Sequence, residues 1–184
     1  KTSMLKNSDM ETLVLCEAPV PFTKAVVNGR AEGGGIYVRE SVPHFTLEEI
    51  VSMAELPYAQ RAARIYRAFD IDLDAETIEG LMAQAYGENF DDEDICPITS
   101  LDASTHMLEL WHGPTSAFKD MALQCLPRFF SASAAALKDA GTIDNDFLIL
   151  VATSGDTGKA ALEGFKDQAG TSIAVMYPHG GVSD

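Results

Sequence analysis

"FLILVATSGDTGKAALEGF", residues 147–165, decides the fold class. A continuous apolar run, 147–153, is the pattern of a strand buried in a parallel sheet. The segment 158–168 then reads as a short helix, and "SIAVMYP" (172–178) as a second strand. Strand, helix and strand in that order predict a parallel β-α-β unit with a crossover helix. Ligands of such sheets sit at the carboxyl ends of strands, beside helix N-termini. The stretch at that point is "TSGDTG", residues 153–158. Thr153, Ser154 and Thr157 carry hydroxyls, Gly155 and Gly158 let the backbone approach a ligand, and the helix start offers unpaired N–H groups. Two readings stand side by side: an anion site, or a turn capped by Asp156 or Thr157. The carboxylate of Asp156 tilts the first reading toward a site that also holds a protonated group.

Upstream, "HMLELW" (106–111) reads as a strand that extends the pattern to β-α-β-α-β, followed by "HGPTSAFK" (112–119) at a second strand end. The segment 119–137 reads as a long helix kinked or interrupted near Pro127, where the backbone donor is missing. Lys119 stands at its start. A lysine there can simply extend its amine into water. Yet a cation in the first turn opposes the helix macrodipole, and Ala117, Phe118 and Met121 would desolvate the amine and lower its pKa. A partly neutral lysine is a nucleophile toward carbonyls. His112 has two readings, a phosphate contact or a residue that only packs or hydrogen-bonds the turn. So does Lys159, a phosphate contact or a solvated helix residue. Trp111 reads as a core residue and Cys125 as a packing residue.

The amino-terminal half is organised differently. Residues 1–45 alternate short apolar runs with turn signals, and Gly33-Gly34-Gly35 lacks the strand-loop-helix context of a nucleotide loop, so hairpins and loops are expected. Thr46 and Glu49 have capping-box spacing. Pro57 ends that helix or starts the next. Helices are expected over 58–69 and 75–86, the second with Ile78, Leu81, Met82 and Ala85 on one face, Asp72 or Asp74 as cap and Gly87 as stop. The acidic stretch 88–94 marks a boundary between a smaller α+β amino-terminal subdomain, 1–92, and the first part of a catalytic domain, 93–184.

Composition narrows the function classes. The 184 residues include 13 basic and 28 acidic side chains, a formal net charge of −15. That balance argues against nucleic acid or an anionic membrane as partner. No apolar run approaches the roughly 18–20 residues of a membrane helix. The first residue is Lys rather than Met, so a trimmed start is expected, and no charged-then-apolar leader opens the chain. Cys16, Cys96 and Cys125 have no paired spacing, and the four histidines form no metal motif, so no metal site, no disulfide framework and a reduced, cytoplasmic setting are expected.

"LELWHGPTSAFKDMALQ" and "VATSGDTGKAALEGF", in that order and spacing, resemble threonine synthase. "FTKAVVNGRAEGGGIYVRE" and "VMYPHGGVSD" are similar to segments of the same family, so the resemblance spans roughly residues 20–184. It implies a fold-type II pyridoxal 5'-phosphate enzyme that converts O-phospho-L-homoserine and water to L-threonine and phosphate. It implies that Lys119 carries the cofactor and then moves protons along the substrate. Phe118 and Asp156 would lie on the cofactor side, Asp156 near its 3′-oxygen or the imine nitrogen, where many relatives have Asn. Thr153, Ser154, Gly155, Thr157 and Gly158 would receive the substrate carboxylate. The family's enzymes are much longer, so the loop for the cofactor phosphate, the partner of the pyridine nitrogen and the rest of the sheet are expected beyond residue 184. The 184 residues alone are expected to turn over little or no substrate. A monomer or homodimer fits. Another fold-type II lyase, or a threonine-synthase-like protein that binds phosphorylated ligands without turnover, are the alternatives.

Overall fold

The computed structural model describes residues 4–8, 19–39, 41–153 and 155–181. β1 (Met4–Ser8), β2 (Val20–Pro21) and β3 (Ile36–Arg39) form a small antiparallel sheet in the order β2-β1-β3, with Leu5 opposite both Val20 and Arg39. Between β2 and β3 lies α1 (Phe22–Asn28), where hairpins and loops are expected from the sequence. Local signals for this helix are weak, because Val26 and Val27 are β-branched. Tertiary contacts hold it instead. The Asp72 carboxylate accepts from the Thr23 backbone N–H (3.0 Å) and hydroxyl (2.7 Å), and the Phe22 ring meets Phe129 edge-on at 5.4 Å. Gly29, at φ +70°, ends the helix in a conformation that favours glycine.

Three helices follow. α2 (Leu47–Met53) starts with the expected capping box: the Glu49 backbone N–H donates to Thr46 Oγ1, and the Thr46 N–H donates to Glu49 Oε2. Pro57 is the residue before α3 (Tyr58–Ala68), so it starts that helix rather than ending the previous one. α4 (Ala75–Ala85) is capped by Asp74, whose Oδ1 accepts from the Thr77 N–H; Asp72, the other candidate, holds α1. Ile78, Met82 and Ala85 are buried as their spacing requires, and Leu81 is half-buried. They join Ala63, Tyr86, Phe90, Ile95, Cys125 and Phe129 in one apolar cluster, so the core runs across the acidic stretch 88–94.

β4 (Ile98–Ser100) and β5 (His106–Leu108) pair antiparallel as a hairpin. This corrects the expectation that 106–111 is the first strand of the parallel sheet. The cause is local: Asp102 Oδ1 accepts from the N–H groups of Ser104 and Thr105, which folds residues 101–105 into a turn and returns the chain onto itself. Trp111, expected in the core, is 46% exposed, because the chain leaves the hairpin at Glu109 and runs over the surface.

The expected interruption in the next helix is present. α5 (Asp120–Leu123) stops, and α6 (Leu126–Asp139) begins with Pro127 in its first turn, where a missing N–H costs nothing. β6 (Phe147–Ala152), α7 (Asp156–Phe165) and β7 (Thr171–Met176) form the parallel β-α-β unit, with six residue pairs from Phe147 opposite Thr171 to Ala152 opposite Met176. One face of this sheet packs on helices, with Phe130 edge-on to Phe147 at 5.2 Å. Leu148 and Leu150 on the other face are 65% and 59% exposed, so among the described residues the strand is covered on one side, not the expected two.

Candidate active site

Lys119 precedes α5, and the turn before it is tightly knit. The Ser116 N–H donates to Gly113 O at 3.0 Å, and Ser116 itself has φ +56°, a left-handed conformation uncommon outside glycine. The Lys119 amine lies 4.1 Å from the centre of the Phe118 ring, the geometry of a cation on an aromatic face. Lys119 is half-buried and Phe118 is 58% exposed. Among the described residues no carboxylate pairs with Lys119, although the chain has 28 acidic side chains.

The second loop meets this turn through its helix. Gly155 is the residue before α7, and Asp156 and Thr157 already lie inside the helix, so the reading in which either is the cap does not hold. Thr153 Oγ1 accepts from the Gly155 N–H at 3.3 Å, which turns the chain from β6 into α7. Asp156 and Thr157 are exposed in the first helical turn. Gly158 is buried, and a Cβ there would lie 2.3 Å from Thr153 Cγ2 and 3.1 Å from Val175 Cγ1. Its smallness therefore serves helix–sheet packing as well as any ligand. Ser154 lies outside the described residues.

A cavity of about 910 Å³ opens against this helix start, within the usual range for small-molecule sites. Thr153, Gly155, Asp156 and Gly158 line it from one side, and Pro114 and Thr115 of the lysine turn from the other. Lys119, Phe118 and Thr157 are not on its wall among the described residues. The two loops are thus brought together, with Lys119 four residues along the chain from the cavity-lining Thr115. The arrangement offers an amine without a described carboxylate partner on the lysine turn, and a cavity against the start of α7, where a helix leaves its first N–H groups without helical partners.

Residues 16–86 match the family model described as the threonine synthase N terminus. The chain is 39% identical to the threonine synthase of Pseudomonas aeruginosa over 164 residues, 89% of this chain and 34% of that protein. It is 34% identical to human threonine synthase-like 1 over 180 residues, 92% of this chain and 23% of that one. The crystal structure of pyridoxal-phosphate-bound threonine synthase from Brucella melitensis superposes with a TM-score of 0.84 at 34% identity, over 97% of this chain and 37% of that one. The chain is similar to the amino-terminal part of threonine synthases. It spans about a third of the length of the Pseudomonas relative.

Three residues of this chain have partners that their sequence context did not disclose. His112 is committed to protein: Nδ1 lies 2.6 Å from Asp91 Oδ1, and Nε2 lies 2.8 Å from Glu109 Oε2. Both ring nitrogens face carboxylates, which only the doubly protonated ring satisfies as a donor. Neither is left for a phosphate. The Lys159 amine donates to Thr115 O at 3.0 Å and the residue lines the same cavity, so one of its three N–H donors is committed to the lysine turn. Asp120, the third, is completely buried. Cys125 packs as expected; burial pushes its thiol up from the ordinary value.

The Glu109 hydrogen bond, and then that of Asp91, raise His112 above the usual imidazole value. A raised folded-state value stabilises the fold fully below the unfolded value of about 6.5, and that gain is lost as pH rises through the raised value. His112→Gln should therefore destabilise more at pH 6 than at pH 9. Urea unfolding of both proteins at the two pH values checks this, and an equal loss at each would remove the charge from the account.

Proposed function

We propose that these residues belong to a pyridoxal-phosphate-dependent threonine synthase that converts O-phospho-L-homoserine and water to L-threonine and phosphate. The observation that carries the reading is Lys119, a half-buried residue whose amine has no carboxylate partner among the described residues of a strongly acidic chain. An amine so placed fits covalent attachment of an aldehyde cofactor. When bound, the cofactor supplies an electron sink for carbanion character at the substrate's Cα. Lys119, as a free amine beside the substrate, would take the Cα proton and deliver protons along the carbon chain as phosphate leaves and water adds. The N–H groups at the start of α7, with the hydroxyls of Thr153, Ser154 and Thr157 and the open backbone at Gly155 and Gly158, receive the substrate carboxylate. Phe118 covers the amine, and Asp156 holds a proton-bearing group of the cofactor. Residues 1–92 support this site and 93–184 carry its loops.

The test is chemical capture in a chain of the relatives' full length. After incubation with pyridoxal phosphate and borohydride reduction, peptide mapping is expected to find the adduct on Lys119, and the absorbance of the bound cofactor should vanish in Lys119→Ala. An adduct spread over Lys24, Lys138 and Lys166 alike would sink the assignment. Similarity to human threonine synthase-like 1 keeps a second reading in view, a protein that binds the phosphorylated ligand without turnover. Capture on Lys119 with no phosphate released from O-phospho-L-homoserine would favour it.

A further inference from the structure

The turn that delivers Lys119 is closed by the residue after it. Asp120 has 0% of its surface exposed, and both carboxylate oxygens point back at one residue. Oδ2 accepts from the Thr115 N–H at 2.8 Å, and Oδ1 accepts from the Thr115 hydroxyl at 2.7 Å. Among the described residues no cation pairs with this carboxylate. A buried charge without a counterion is tolerated only where hydrogen bonds replace its water. Two donors from one buried threonine do so here, and they lock residues 115–120 into a ring.

Backbone on the other side completes the clamp. A Cβ at Gly113 would lie 2.5 Å from Asp120 Cβ and 2.6 Å from Oδ2, so the carboxylate rests directly on the Gly113 backbone. The left-handed Ser116 is the conformational tension this clamp holds in place. From the same Thr115, the carbonyl accepts the Lys159 amine of α7. Gly113, Thr115 and Asp120 thus fix one loop, and Lys159 ties it to the other.

We propose that Asp120 is a positioning residue for Lys119: its buried carboxylate anchors the Thr115 turn, sets the direction of the lysine amine and, through Lys159, its registry with the α7 loop. This rests on the reading of Lys119 as the reactive amine. A reacting group held by a locked loop needs little reorganisation, and a displacement of about 1 Å in such a group can cost a hundredfold in rate.

The experiment measures Lys119 directly. Acylation of each lysine by a small amine reagent is followed by mass spectrometry, with the exposed Lys24 in α1 as internal reference, in folded wild type, Asp120→Ala and Asp120→Asn. Asn is isosteric and can accept from the Thr115 N–H while donating to its hydroxyl. The Lys119:Lys24 ratio is expected to rise at least about threefold in Asp120→Ala, as the turn opens locally, and to stay near wild type in Asp120→Asn. If Asp120→Ala does not fold, Thr115→Val removes the hydroxyl contact alone and is read in the same way. An unchanged ratio in the folded variant, or an equal rise in Asp120→Asn, overturns the proposal. Cofactor capture in the same proteins separates the two ideas: no adduct on wild-type Lys119 removes the reactive-amine reading, while the acylation ratio still decides whether Asp120 directs that amine.

Discussion

Gly164→Ala is expected to destabilise the protein by about 3 kcal/mol or more, the upper end for overpacking a close contact. A Cβ at this position would sit 1.9 Å from Leu123 O, 3.0 Å from Leu123 C and 3.1 Å from Pro127 Cγ. The obstacle is backbone at the α5–α6 break, which cannot rotate away as a side chain would. α7 must therefore lift off α5. Alanine has the better helix propensity, by about 1 kcal/mol, and that gain is too small to offset the clash. Gly80 supplies the control: it lies inside α4, and a Cβ there would meet nothing within 4 Å, so Gly80→Ala should be neutral or stabilising by several tenths of a kcal/mol. Urea unfolding of the two variants checks the contrast. Similar stability changes at both positions would mean that α7 does not seat on Leu123. The consequence reaches the site, because the same helix carries Asp156 at its start and Lys159 one turn later.

Met82→Ala is expected to cost about 2–5 kcal/mol, the range for truncating a fully buried methionine. Met82 is 0% exposed and packs in the cluster that joins α3, α4 and α6, with Ile78, Ala85, Tyr86 and Phe129 around it. Rigid neighbours limit the collapse into the space left behind: Tyr86 stacks edge-on to Tyr58 at 4.9 Å, and its hydroxyl donates to Met121 O at 2.7 Å. That hydrogen bond reaches the helix immediately after Lys119. Thermal or urea unfolding gives the magnitude, and a loss under about 1 kcal/mol would show that the cluster relaxes freely around the missing side chain.

Several elements were legible because their signals lie within one turn of chain. The Thr46–Glu49 box, the Asp74 cap, the face of α4 and the interruption before Pro127 each depend on residues three or four apart. The β6-α7-β7 unit was legible for the same reason, as an apolar run, a helical repeat and a second run. α1 was not, since its cap comes from Asp72, 49 residues away. The short β5 was misplaced because three apolar-rich residues pair equally well in a hairpin or a parallel sheet, and the Asp102 turn decides between them.

Sequence alone determined the chemistry available: a lysine ahead of a helix, a hydroxyl- and glycine-rich loop at a strand end, and an excess of acid. Tertiary structure decided which of those groups are free to act. His112 is held by Asp91, 21 residues away, and Lys159 by the Thr115 carbonyl, 44 residues away, while Lys119 keeps its amine clear of every described carboxylate. The reason is physical: a hydrogen bond between neighbours in sequence is set by helix and turn geometry, whereas a bond between distant segments exists only after the core has packed and brought their backbones within reach.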